Sequence, residues 1–215
     1  RVDYESNKNL AAERKTSKRS FINIESLTDA EFAGTKRSHS ATLIITEGKS
    51  AATSATKMLN VLKREEWGIF PIKGKILNVR DATNVAISKN AEVQSIVQIL
   101  GLEFGKVYTK TNINALRYGG LMIMTDQDVD GSHIKALIMN FLEFFWPSLL
   151  QIQEDDGTLF RLTTFVTPLL KCKHKRIKSG PLMERMFFTQ QSYNAFMDSD
   201  DAQNYKGAKY YKGLG

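Results

Sequence analysis

Leu121-Met122-Ile123-Met124-Thr125-Asp126-Gln127-Asp128-Val129-Asp130-Gly131-Ser132-His133 is the stretch on which the fold turns. Its first five residues read as a short strand buried on both faces. Gly119-Gly120 precedes this run, and three carboxylates spaced by two, Asp126, Asp128 and Asp130, begin where it stops. The apolar segment that follows, Ile134 to Phe145, reads as a long helix stopped by Pro147. Strand, acids, then helix is the order of an α/β unit, in which ligands sit beyond the carboxyl ends of parallel strands.

A similar unit lies upstream. Ala41-Thr42-Leu43-Ile44-Ile45-Thr46 reads as another buried strand, closing on Glu47-Gly48 before a helix-compatible stretch from Ser50 to Leu62. Between the two units, Trp67 to Val79 carries strand-like pieces around Pro71 and Gly74. Val93, Ile96, Val97, Ile99 and Leu100 then space an amphipathic helix over Asn90 to Leu102, ending near Gly101. Beyond Pro147, Leu159 to Lys173 reads as one strand in which Pro168 marks an edge or bulge. A basic turn over 174–180, a strand near Phe187 and a helix from Ser192 to Met197 complete the pattern. The expected fold class is α/β, a parallel sheet flanked by helices with a smaller C-terminal α+β extension. The expected segments are 1–40 as the end of a preceding region or a linker, 41–150 as the core and 151–215 as the extension. Arg14, Lys15, Lys18 and Arg19 in a polar setting make residues 1–20 a helix end or a solvated linker.

Composition narrows the class without naming a function. Hydrophobic residues make up 42% and charged residues 25% of 215, enough for a real core. No apolar run approaches the roughly 18 residues of a membrane span, so no membrane partner is expected. Cys172 is the single cysteine, which excludes an internal disulfide and favours an intracellular, reducing compartment; it reads as an inert buried thiol. The net charge of +7 permits a polyanionic partner. A start at Arg1 with no initiator Met, and an abrupt stop at Gly215, are what a piece of a longer polypeptide gives.

Three carboxylates so close repel one another unless a cation neutralises them. Hard oxygen donors without clustered Cys or His point to Mg²⁺, with Mn²⁺ or Ca²⁺ as substitutes. Mg²⁺ keeps several waters and is completed by substrate phosphates, so the set predicts phosphoryl chemistry. Asp126, Asp128, Asp130 and Gly131 also match the opening of an EF-hand loop. The twelfth position of that loop is Leu137 instead of Glu, and a strand precedes it instead of a helix, which rejects that reading. A solvated acidic turn remains the plain alternative for the triplet alone. His133 reads as structural or phosphate-orienting, and His39 and His174 as surface residues.

Thr46-Glu47-Gly48-Lys49-Ser50-Ala51, Pro71-Ile72-Lys73-Gly74-Lys75-Ile76-Leu77-Asn78-Val79-Arg80, Leu116-Arg117-Tyr118-Gly119, the acidic stretch quoted first and Tyr210-Tyr211-Lys212-Gly213-Leu214-Gly215 occur in one order. In that order they resemble the type IIA DNA topoisomerases, eukaryotic and viral enzymes more than bacterial gyrase. The resemblance implies a Toprim fold, Rossmann-like, in which Glu47 is metal ligand and acid/base contributor. Asp126 and Asp128 would hold the metal, and Asp130 would support a second metal position. It further implies DNA contacts by Lys75 and Asn78, with Lys73, Arg80, Lys49 and His133 as neighbours of the phosphates. The implied reaction is tyrosine-mediated, transient cleavage and religation of double-stranded DNA by an ATP-dependent homodimer. The attacking tyrosine would lie beyond Gly215 and the ATPase before Arg1, so the chain alone is expected to be inactive. The implied location is the nucleus for a cellular protein, or virion and host cytoplasm for a viral one. One departure stands out: the family's first motif usually reads Glu-Gly-Asp-Ser-Ala, and Lys49 replaces its Asp. Lys49 is expected to touch a DNA phosphate or to pair with a neighbouring acid. A nuclease or primase sharing the Glu and Asp-x-Asp core, and a non-catalytic DNA-binding module, are the other classes. The separation of 79 positions from Glu47 to Asp126, filled by the Pro-Ile-Lys-Gly-Lys segment, argues against the nuclease and primase.

Overall fold

The computed structural model describes residues 22–59, 61–154 and 157–211; the segment 1–20 and the final Lys-Gly-Leu-Gly discussed above lie outside these. Strands β1 (Thr42–Glu47), β2 (Trp67–Ile72) and β3 (Gly120–Met124) are followed by a short hairpin of β4 (Gln153–Glu154) and β5 (Gly157–Thr158), then by β6 (Arg161–Thr164). Four of these form one parallel sheet in the order β2-β1-β3-β6. The inner pair, β1 and β3, are the two apolar runs read from sequence, and every residue of β1 except Glu47 is buried. Because successive side chains of a strand point to opposite faces, the sheet feeds two cores. Ile44, Ile69 and Met124 face one side, where α1 (Gly48–Leu59) lays down Ala55 and Leu59. Leu43, Ile45, Phe70, Ile72, Leu121 and Ile123 face the larger core on the other.

That larger core is filled by α3 (Ala91–Leu100) and α4 (Val129–Phe145); α2 (Asn84–Lys89) precedes them and α5 (Pro147–Gln151) follows. Gly101 caps α3 in the left-handed conformation at φ 73, where glycine avoids the Cβ penalty. Pro147 ends α4 as expected, but also opens α5, since its missing N–H is no loss in a first helical turn. Trp146 between them is fully buried and donates its indole N–H to the Glu103 carbonyl at 2.8 Å.

The Arg117-Tyr118-Gly119 motif proves to be structural. Arg117 and the Tyr118 hydroxyl both donate to the Asp29 carboxylate, and Tyr118 Oη accepts from Ala30 N at 3.0 Å. Burial, then the adjacent Asp29, push the Tyr118 phenol far above its ordinary pKa of 10.0. Gly119 passes so near the chain before β1 that a Cβ would sit 2.2 Å from the His39 carbonyl oxygen.

The extension is a three-stranded antiparallel sheet, β8-β7-β9, of β7 (Leu170–His174), β8 (Glu184–Phe187) and β9 (Tyr205–Tyr210). Phe196 from α6 (Gln190–Met197) closes a small core of Leu170, Cys172, Phe187 and Tyr205. The α/β class with a smaller α+β extension therefore holds. Among the described residues no helix is long and apolar enough to cross a membrane.

Three local expectations change. Leu159 to Lys173 is two strands in two sheets: β6 extends the parallel sheet, β7 starts the antiparallel one, and Pro168, with no N–H for a ladder, separates them. The helix expected from Ile134 starts at Val129, because Asp128 caps it. Helix α2 was not foreseen; its six residues are set by Thr83, whose hydroxyl accepts from Ala86 N at 3.2 Å.

Candidate metal centre

The parallel register brings the carboxyl ends of β1, β2 and β3 to one edge. Glu47 is the last residue of β1, opposite Ile72 of β2, while its neighbour Thr46 pairs with Met124 of β3. The edge thus collects Glu47, the Lys73-Gly74-Lys75 turn after β2 and the Asp126 to Asp130 loop after β3. A fully buried threonine fixes the turn at each inner strand's end, Thr46 as the penultimate residue of β1 and Thr125 just past β3. Thr46 Oγ1 donates to Gly48 O at 3.2 Å, and Thr125 Oγ1 to Gly131 O at 3.0 Å. These two threonines were missed in the sequence as site residues; the signal was a Thr placed before the acid at both strand ends.

The Asp loop is compressed against the start of α4. Asp128 accepts from Gly131 N at 2.9 Å as the helix cap. A Cβ on Gly131 would lie 2.1 Å from the Asp126 carbonyl oxygen, so close approach, not left-handed backbone, requires glycine here. Asp126 and Asp128 are half-buried, whereas Asp130 is exposed. Asp130 pairs with Lys75 Nζ at 2.9 Å; both ends are well exposed, a setting in which such pairs contribute about 0–1 kcal/mol.

Glu47 carries the electrostatic stress of the site. Its pKa is raised above the ordinary 4.5 by burial first, then by the charges of Asp126 and Asp128, and least by Asp130; the Asp126 backbone N–H pulls the other way. Its Oε2 is buried with no hydrogen-bond partner. Among the described residues no three Asp, Glu, His or Cys side chains converge on one point tightly enough to form an ion's shell by themselves. Asp128 is turned to its cap and Asp130 to Lys75. A cation that keeps several waters needs only one or two direct carboxylates. An orphaned buried oxygen beside mutually repelling acids fits such an ion.

The residues expected at DNA separate into two groups. Lys49 on the first turn of α1, Lys73, Lys75 and His133 are exposed, and among the described residues Lys49 pairs with no acid. Asn78 and Arg80 instead bind α4. Asn78 Oδ1 accepts from Asn140 Nδ2 at 3.2 Å, and Arg80 donates to Asn140 and Glu143 with Phe144 beneath its guanidinium. Arg80→Ala is accordingly expected to lower thermal stability by up to about 1 kcal/mol, a fall in Tm of ~2–4 °C, read by circular dichroism. His39 is exposed as expected; His174 is half-buried, its Nδ1 accepting from Arg176 N at 3.1 Å and Ile177 N at 3.0 Å. Cys172 is buried, and burial pushes its thiol pKa up, away from reactivity.

The Toprim domain model matches residues 42–178. DNA topoisomerase 2 of Candida albicans is 49% identical over 189 residues, 88% of this chain and 12% of the relative. That of Acanthamoeba polyphaga mimivirus is 45% identical over 194 residues, 90% of this chain and 15% of the relative. A crystal structure of the Plasmodium falciparum topoisomerase II DNA-binding, cleavage and re-ligation domain superposes with a TM-score of 0.76 at 44% identity. It covers 92% of this chain and 25% of that one. This chain thus spans 12–15% of the length of these curated relatives. Since the matched region begins at β1 and takes in both acid-tipped strands, the chain belongs to the Toprim domain family, in the form found in eukaryotic and viral DNA topoisomerase 2.

Proposed function

We propose that the chain is the metal-binding cleavage segment of an ATP-dependent type II DNA topoisomerase, acting on double-stranded DNA within a homodimer. The observation that carries this reading is Glu47, held at the sheet edge with a buried, unpartnered oxygen and a pKa raised by burial and by the Asp triplet. Glu47, Asp126 and Asp128 would hold Mg²⁺, with Asp130 supporting a second position. When bound, Mg²⁺ supplies charge stabilisation to a phosphodiester under attack. The protein's own share is positional. The raised pKa of Glu47 suits it to handle a proton at the ester oxygen. Asp128 fixes the α4 start by accepting from Gly131 N. Lys75 sits on Asp130 and can exchange that carboxylate for a DNA phosphate, while Lys49 and Lys73 add positive charge that fixes register with little sequence preference. The attacking hydroxyl would come from outside: none of the seven tyrosines here matches that role by resemblance.

Mn²⁺ titration followed by electron paramagnetic resonance tests the reading. The chain is expected to take up Mn²⁺ with Mg²⁺ competing, and Asp126→Asn to weaken uptake by at least ~10–100-fold, the scale seen for site-supporting residues. Unchanged uptake in that variant would remove Asp126 from the site. Mg²⁺-dependent nicking of duplex DNA by this chain alone would favour the nuclease class instead.

A further inference from the structure

Strands β7 and β9 set alternate residues on opposite faces. One face carries the core residues Leu170, Cys172 and Tyr205. The other carries two directly opposed lysine pairs, Lys171 with Lys209 and Lys173 with Lys206. Lys206 and Lys209 are three apart, so strict alternation would put them on opposite faces. A register shift between Lys171 and Lys173, where Gly207 adopts φ 62, returns Lys209 to the face of Lys206. Bulges of this kind re-aim side chains and recur beside functional sites. Like charges directly opposite weaken a sheet, so nothing in the fold itself calls for this arrangement. The Tyr211 ring lies beneath Lys171 Nζ at 4.8 Å and Lys209 Nζ at 5.4 Å. These residues with Lys173, Lys206 and Gly207 line a groove of about 300 Å³. Glu184, 3.6 Å from Lys173, answers the charge at one edge.

We propose that this lysine face grips the phosphate backbone of a DNA duplex, as a contact separate from the carboxylates at the parallel-sheet edge. Lysines two apart on a strand stand about 6.8 Å from one another, a row of point charges suited to a continuous phosphate chain. Ammonium groups lack the fork that would orient on one phosphate, so binding follows counterion release and not sequence. Tyr211 is covered by two ammonium groups and is not free to stack a base, which disfavours single strands. A protein partner would need buried aromatic or aliphatic anchors; among the described residues that line the groove or pair with its lysines, the apolar groups are Tyr211, already covered by two ammonium groups, and Met186, opposite Lys171.

The test is duplex affinity of the 215-residue chain by fluorescence anisotropy across a salt series, in EDTA so that no divalent ion contributes. Replacing all four, Lys171→Gln, Lys173→Gln, Lys206→Gln and Lys209→Gln, is expected to flatten the log–log salt slope by ~0.9 per lost contact, about 3.6 if all four lysines touch phosphate. The same variant should melt no lower than the parent, because the opposed charges are gone. A charge-matched control, Lys57→Gln, Lys63→Gln, Lys89→Gln and Lys110→Gln, should keep the parent slope; an equal loss there would reduce the effect to net charge and overturn the proposal. So would an unchanged slope in the folded lysine-face variant, no duplex binding by the parent, or tighter binding of single strands or polyglutamate than of duplex. Asp126→Asn should leave the slope intact, so the metal site and this face fail or stand independently.

Discussion

Gly131→Ala is expected to lower the melting temperature by about 2–12 °C and to loosen divalent-ion binding with it. The added methyl would meet Asp126 O at 2.1 Å, Asp126 C at 3.0 Å and Asp126 N at 3.1 Å. All three are backbone, so no flexible side chain can yield. Relief must come from the first turn of α4 or the Asp loop, and they share two bonds: Gly131 N to Asp128 Oδ1, and Thr125 Oγ1 to Gly131 O. Overpacking a buried site costs about 1–3 kcal/mol, and in a chain of this length each kcal/mol shifts Tm by ~2–4 °C. Gly180→Ala is the comparison: nothing lies within 4 Å there, and only its φ of 85 strains the change. Thermal melts by circular dichroism would sink the argument if Gly131→Ala unfolded within a degree or two of the parent, or fell no further than Gly180→Ala.

The same glycine shows what the sequence could and could not convey. Strands β1 and β3 were legible because a strand buried on both faces must be apolar throughout, and the acids at their ends follow from parallel register. The α3 helix was legible from its apolar spacing and its glycine cap. What escaped was settled by partners distant in sequence. The partners of Arg80 escaped because an exposed Arg in a basic loop carries no mark of Asn140 and Glu143, some 60 positions on, to which it donates. Strand β9 escaped because Tyr205 to Tyr210 is polar, with a glycine inside it, and is held by pairing to β7. The split between β6 and β7 is a matter of which neighbour each half finds, and only Pro168 hinted at it. Within the candidate site the acids were legible as types and spacings. Their orientation was not: Asp128 turns to a helix cap and Asp130 to Lys75, which depends on where α4 begins.

Glu47→Gln is expected to act with opposite signs on stability and on activity. Folded Glu47 holds its proton more tightly than the unfolded chain does, since burial and the Asp charges raise its pKa above 4.5. Its contribution therefore favours the fold below the unfolded value and is lost as pH rises through the higher folded value. Above that folded value, without divalent ions, the parent carries an ionised, repelled carboxylate that Gln lacks. The variant should then melt higher by ~2–4 °C, the shift that ~1 kcal/mol produces in a chain of this length, and the difference should shrink toward pH 4. Adding Mg²⁺ at about ten times its dissociation constant should stabilise the parent by ~1.4 kcal/mol through mass action. The variant, lacking the anionic oxygen, should gain little, so that the advantage it held in EDTA disappears. On the proposed function, the same change within a full-length topoisomerase should cut Mg²⁺-dependent DNA cleavage by ~10²–10⁴-fold, the range for loss of a positioned acid or base, while duplex binding in EDTA stays near the parent level. Melts at pH 4 and pH 7, with EDTA and with Mg²⁺, decide the matter: a variant that gains as much from Mg²⁺ as the parent does would take Glu47 out of the metal site, whatever its effect on cleavage.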